Sequence, residues 1–184
     1  SKNIEGYTNA QYSLLKTLIA DLLQYGADAQ VYANYNTSAL VNQGIDGMSG
    51  YSAPSDIYAN VSISASTALD NSHLMSAAME LSNTIRLRFS FAAADVSTVT
   101  IKIGGMTFEH SDFINTNKTN ENGLPIYIVY SNDIYATQIE QDFDVALFVN
   151  GTQCQTLKYS VLNYVYRKQN DSNATLANLV KSIH

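Results

Sequence analysis

The chain has 184 residues, 46% of them hydrophobic and 14% charged, enough for one domain with a proper core and too few charges for ordinary disorder. A net charge of −6 with a pI near 4.8 argues against a nucleic-acid surface, because phosphate binding needs clustered Lys and Arg. No run of about eighteen apolar residues predicts a membrane span, and the lone Cys154 excludes an internal disulfide or a cysteine zinc site.

In chain order, the first and most strongly periodic element is expected over Asn9 to Tyr35. Tyr12, Leu15, Ile19, Leu22, Gly26 and Ala29 recur at spacings of three and four, which predicts one apolar helical face. Leu18 and Leu23 widen it. Gly26 costs about 1 kcal/mol in a helix interior, so a close neighbour is expected against it. Asn36-Thr37 can cap a short turn over Ser38 to Asn42, and Gly44, Gly47, Gly50 and Pro54 mark an irregular crossing from Gln43 to Asp56.

From Asn60 the period changes to two. Strands are expected at Val61 to Ala65, His73 to Leu81, Ile85 to Phe91, Val99 to Ile103 and Thr107 to Phe113. Asn115 to Gly123 reads as a polar loop. Pro125 admits Ile126 to Tyr130 as a strand near an edge. Phe143 to Val149 and Thr152 to Tyr159 flank Asn150-Gly151, a strong hairpin signal because both turn residues need positive φ. Asp171 or Ser172 can then cap a helix carrying Leu176, Leu179, Val180 and Ile183. Aligned on the first helix, these four fall on Leu15, Leu18, Ile19 and Leu22, the pattern a tandem helical unit would leave. The expected fold is therefore α+β. A mostly antiparallel β-sandwich (60–160) carries a long N-terminal helical segment (1–45) and a short C-terminal one (161–184), in a single module, 1–184.

The stretch LLQYGADAQVYANYNTSALVNQGI resembles a segment of the form LLNYGAAAQ, an aromatic, then YNT and LAN. That segment recurs in large secreted and cell-surface, multi-modular, sometimes dockerin-bearing proteins of gut and rumen Firmicutes. DFDVALFVNGTQCQTLKYSVLNYVYRK with NDSNATLANLVKSI resembles the part that precedes it in the same proteins. Together these cover about a third of the chain. The resemblance implies a non-catalytic module of an extracellular bacterial surface protein, cellulosome-like in setting, and carries no site residues with it. The composition agrees, with thirteen Tyr, no Trp and little Lys. The opening at Ser1 instead of Met, with no signal peptide before it, is expected of a piece processed or excised from something longer.

No catalytic set is expected. His73, His110 and His184 lie in no metal-binding frame, and no G-x-S-x-G occurs. Glu109-His110-Ser111-Asp112 offers acid, base and nucleophile types, but adjacent strand residues point to opposite faces and cannot converge. Glu140, Asp142 and Asp144 read as a solvated strand start. Asp112, Asn115, Asn117, Asn120, Glu121 and Asn122 could offer oxygens to calcium but lack the EF-hand spacing, so no metal and no cofactor are assigned.

Two functions remain. One is binding of plant or starch polysaccharide, with Tyr51, Tyr58, Tyr127, Tyr130 and Tyr135 as aromatic platforms and Asn132 and Gln138 as polar partners. Sugars stack their C–H surfaces on such rings while amides bridge their hydroxyls. The other is a scaffolding module that spaces or stabilises neighbouring modules of the same protein, supported by the helical pattern at both ends. The first is the leading reading from sequence.

Overall fold

The computed structural model describes residues 6, 8–35, 50–65, 71–82 and 84–184. The chain is α+β and divides into two compact units, Ser1–Ser55 with Val165–His184, and Asp56–Tyr164. The expected turn at Ser38 to Asn42, with its cap at Asn36-Thr37, lies outside the described residues, as do Gly44 and Gly47.

The first unit is helical. Its long helix α1 spans Asn9–Tyr32 and opens on a reciprocal cap. The Gln11 N–H donates to Thr8 Oγ1 at 3.3 Å, and the Thr8 N–H donates to Gln11 Oε1 at 2.9 Å. Asn34, in the left-handed region at φ 56°, ends the helix. Helix α2 spans Val161–Lys168 and carries the chain from the second unit back into the first. Helix α3, Ala174–Ile183, packs along α1 and buries Ala177, Leu179 and Val180. Its cap is Asn173, whose Oδ1 accepts from the N–H of Thr175 and of Leu176, instead of the expected Asp171 or Ser172. Asp171 is committed elsewhere, accepting from Lys168 Nζ at 2.7 Å and from the Asn173 N–H at 2.9 Å.

The apolar face of α1 corrects the sequence expectation. Its buried residues are Ala20 and Ala27, seven apart and therefore on one side of the helix. Leu14, Leu18, Ile19 and Leu22 are 72%, 55%, 49% and 60% exposed. Periodicity identifies a face but not its direction, and here the small residues turn inward. A Cβ built at Gly26 would meet nothing within 4 Å, so the close neighbour expected there is absent among the described residues.

Among the described residues the second unit holds eight strands in two antiparallel sheets: β1 Ser72–Leu81, β2 Ile85–Ala93, β3 Val99–Ile103, β4 Met106–Phe108, β5 Ile114–Thr119, β6 Pro125–Tyr130, β7 Phe143–Val149 and β8 Thr152–Tyr159. One sheet runs β1-β2-β6-β5 and the other β4-β3-β7-β8. Phe89 of β2 meets Tyr159 of β8 edge-on at 6.0 Å, both fully buried, so the sheets face each other as a sandwich. Around them lie Leu87, Phe91 and Val129 from one sheet and Ile101, Val145 and Leu147 from the other. Gln155 ties the layers together. Its Oε1 accepts from the buried Leu74 N–H at 2.7 Å, beside a register shift in β1, and its Nε2 donates to the Ser64 carbonyl.

The Asn150-Gly151 hairpin forms as expected, with φ of 50° and 76° joining β7 to β8. Three other segments differ. Val61 to Ala65 is not a strand. It touches β8 mainly through Ser64, whose N–H donates to the Thr156 carbonyl while its hydroxyl, in place of a backbone carbonyl, receives the Thr156 N–H. Residues 120–123 form the expected turn before β6, but Asn115 to Thr119, also read as loop, belongs to strand β5. There Asn117 sits at φ 57° in a register shift, and Thr116 Oγ1 donates to the Ile126 carbonyl. That strand makes β6 an inner strand instead of an edge one, with Pro125 as its first residue, where no ladder N–H is lost from the middle.

Candidate functional site

Beginning with the aromatics, the five proposed platform rings and their two polar partners are divided between the two units. Tyr51 belongs to the helical unit. Its hydroxyl donates to Gln169 Oε1 at 2.6 Å, its ring meets the His184 ring edge-on at 6.2 Å, and Lys181 Nζ stands 5.8 Å from its centre. Burial pushes its phenol pKa up. His184 Nδ1 lies 2.7 Å from the Ser52 carbonyl, so this cluster anchors the segment before the sheet unit.

The other six belong to the sheet unit. Tyr58 sits in a 3-10 turn, Asp56–Ala59, and its carbonyl accepts from Asn163 Nδ2 at 2.9 Å. Tyr127 stacks on Phe91 at 5.6 Å, and Phe113 meets Phe91 edge-on at 4.9 Å, which places Tyr127 on the inner face of its sheet. Tyr130 is three residues on, so its side chain stands on the opposite, outer face. Tyr130, Asn132, Tyr135 and Gln138 follow one another at the end of β6. Asn132 is exposed and Tyr135 is 69% exposed, while Gln138 Oε1 is occupied by the Tyr135 N–H at 3.0 Å.

A constellation not anticipated from the sequence surrounds Tyr130. The Arg86 guanidinium lies 4.4 Å from the centre of the Tyr130 ring and pairs with the Glu80 carboxylate through both Nε and Nη2. Arg88 is the cross-strand neighbour of Tyr130, and the Ser76 and Ser90 hydroxyls are 2.6 Å apart on the same sheet face. The available signal was the Arg86/Arg88 pair on one strand face. It lacked the register that brings Tyr130 beside them.

Of the groups considered for catalysis, His110 and Asp112 lie in a 3-10 turn, His110–Asp112, which replaces the later part of the strand expected over Thr107 to Phe113, its start being β4. The Glu109 N–H donates to Asp112 Oδ2 at 2.8 Å, closing that turn. Asp144 pairs across strands with Lys158 at 3.8 Å. Of the carboxamides considered for calcium, Asn115 Oδ1 accepts from the Asn117 N–H, and Asn120 Oδ1 accepts from those of Asn122 and Leu124. Their oxygens hold the hairpin together. Among the described residues no group of three or more His, Cys, Asp or Glu is placed to hold a metal ion. No described helix is long and apolar enough to cross a membrane.

The second candidate surface is α1 itself. Leu14, Leu18, Ile19 and Leu22 form an outward apolar face on the helix whose Ala20 and Ala27 are buried. Contiguous exposed apolar surface of this kind marks an interaction face more often than scattered single residues do. Compared with family models, with curated proteins and with solved structures, the chain finds no match.

Proposed function

We propose that this chain is a non-catalytic interaction module of a multi-modular bacterial surface protein, and that it spaces or stabilises its neighbours through α1. The observation that carries this reading is the outward apolar face of Leu14, Leu18, Ile19 and Leu22. A helix that needed those residues for its own unit would turn them inward, since each buried leucine or isoleucine is worth about 1.5–3 kcal/mol. Protein surfaces that recognise protein partners carry such apolar centres, whereas glycan sites rely on ring faces and amides. Leu18→Glu with Leu22→Glu tests the reading by thermal melting of the dilute chain. An unchanged midpoint is expected, and a fall of several degrees would show that the face is needed for folding and sink the proposal.

Polysaccharide attachment is the second reading, favoured by the exposed Tyr135 ring close in sequence to the exposed Asn132. Native gels cast with starch, xylan, pectin or β-glucan address it. Retardation in one of them that is lost in Tyr135→Ala would move this reading ahead.

A further inference from the structure

We propose that the partner of the α1 face is a second copy of this chain, the two α1 helices pairing in parallel. The inference rests on the reading of α1 as the interaction face.

Along α1, Leu15, Leu18, Leu22, Tyr25, Ala29 and Tyr32 recur at intervals of three, four, three, four and three. That is the two-stranded seam spacing, with Leu15, Leu22 and Ala29 in the first apolar position of each heptad and Leu18, Tyr25 and Tyr32 in the second. The buried residues Ala20 and Ala27 lie on the other side of the helix, and along the seam, among the described residues, Leu18, Leu22 and Tyr32 are exposed while Leu15, Tyr25 and Ala29 are half-buried. With Leu14 and Ile19 at its margins, the exposed surface of Leu18, Leu22, Tyr32 and these two comes to on the order of 500 Å². Two such faces can bury at most about 1,000 Å² in all, the size at which a specific interface begins.

Charge selects a second copy and its orientation. No seam residue is charged, so a like surface meets no like-charge penalty and an acidic or basic partner gains nothing. Leu14, Asp21 and Asp28 occupy the position just before the first seam residue of each heptad. Ile19, Gly26 and Ala33 occupy the position just after the second. In a parallel pair these flanks meet crosswise, Leu14 against Ile19 of the other copy and Asp21 against its Gly26. In an antiparallel pair the aspartates would face aspartates. Parallel pairing therefore places apolar on apolar and separates the acids.

Sedimentation equilibrium over about three decades of concentration is expected to show a reversible dimer. Leu18→Glu with Leu22→Glu is expected to remain monomeric, with an unchanged far-UV spectrum. Tyr32→Cys, at the far end of the seam, is expected to form a disulfide-linked dimer on mild oxidation. The wild-type chain, whose Cys154 is buried, is not. A wild-type chain that stays monomeric throughout would overturn self-pairing. The interaction-face reading would survive that result provided the double variant melts like wild type. A dimer that persists in the double variant would place the contact elsewhere. A dimer that Tyr32→Cys fails to link would overturn the parallel arrangement. Loss of helix in the dilute double variant would remove both proposals together.

Discussion

Gly104 shows how much a single residue can constrain this chain. It lies between β3 and β4 at φ 57°, and a Cβ there would come within 2.8 Å of the Phe143 ring. Gly104→Ala is expected to destabilise by about 1–3 kcal/mol through overpacking and a strained backbone, read as a lower denaturant midpoint with unchanged slope. Asp171 carries a pH dependence instead. Its carboxyl is held below its ordinary pKa, first by the hydrogen bond from Lys168 and then by that from the Asn173 N–H. A depressed folded-state pKa gives stability that is complete above the ordinary carboxylate range and is lost as pH falls through the folded value. Melting midpoints of wild type and Asp171→Asn should therefore converge on acidification below roughly pH 4 and separate again toward neutrality. Cys154, the lone cysteine, is buried in β8, where it packs as a small hydrophobe. The Asn-rich stretch was not legible. Asn is scored as loop-forming because it tolerates positive φ, and Asn117 uses that tolerance inside a strand.

Elements were readable where one face is wet and the other dry. β2 alternates Ile85, Leu87, Phe89 and Phe91 with Arg86, Arg88 and Ser90, and β7 and β8 meet at a turn whose two residues admit positive φ. α2 gave no such signal. Its eight residues include Val161, Tyr164, Val165 and Tyr166, types that favour strands, and it starts without a Gly or Pro break after β8. What starts it is local: the Ser160 N–H and hydroxyl both donate to Asn163 Oδ1, at 2.8 and 2.9 Å. α1 was legible as a helix from its period and illegible in its direction, because a stripe of leucines looks alike whether a domain or a partner will cover it. Gly26 separates those cases by measurement. With no side chain or foreign backbone of the described residues within 4 Å of its missing Cβ, Gly26→Ala should stabilise by up to about 1 kcal/mol through helix propensity, seen as a raised melting midpoint. A fall would place a close neighbour there after all.

For the whole molecule, the aromatic platform could not be read from sequence because it depended on long-range register. The rings of Tyr127 and Tyr130 point to opposite faces of one strand, and Tyr51 belongs to the other unit. The pairing of chain ends was more accessible, since α3 repeats the apolar pattern of α1 and packs along it. Removing Asn173 to His184 should cost several kcal/mol, at about 1.5–3 kcal/mol for each large apolar side chain buried. Because the sheet unit has its own core, the truncated chain should melt in two steps, with the helical signal lost first and the sheet signal near its full-length midpoint. A single unshifted transition would mean that α3 contributes nothing to the fold.

The division of the chain also imposes an order in time. α1 leaves the ribosome before the sheet unit, and its intramolecular partner α3 follows roughly 140 residues later, on the order of ten seconds at ordinary rates of synthesis. During that interval the sheet unit has all of its described strands and can fold, while the side of α1 that carries Ala20 and Ala27 waits undocked. Nascent chains arrested just after Tyr164 should then leave α1 open to limited proteolysis, and protection should coincide with the emergence of Leu179 and Val180. Within this stretch, residues made later thus decide when those made before them are secured.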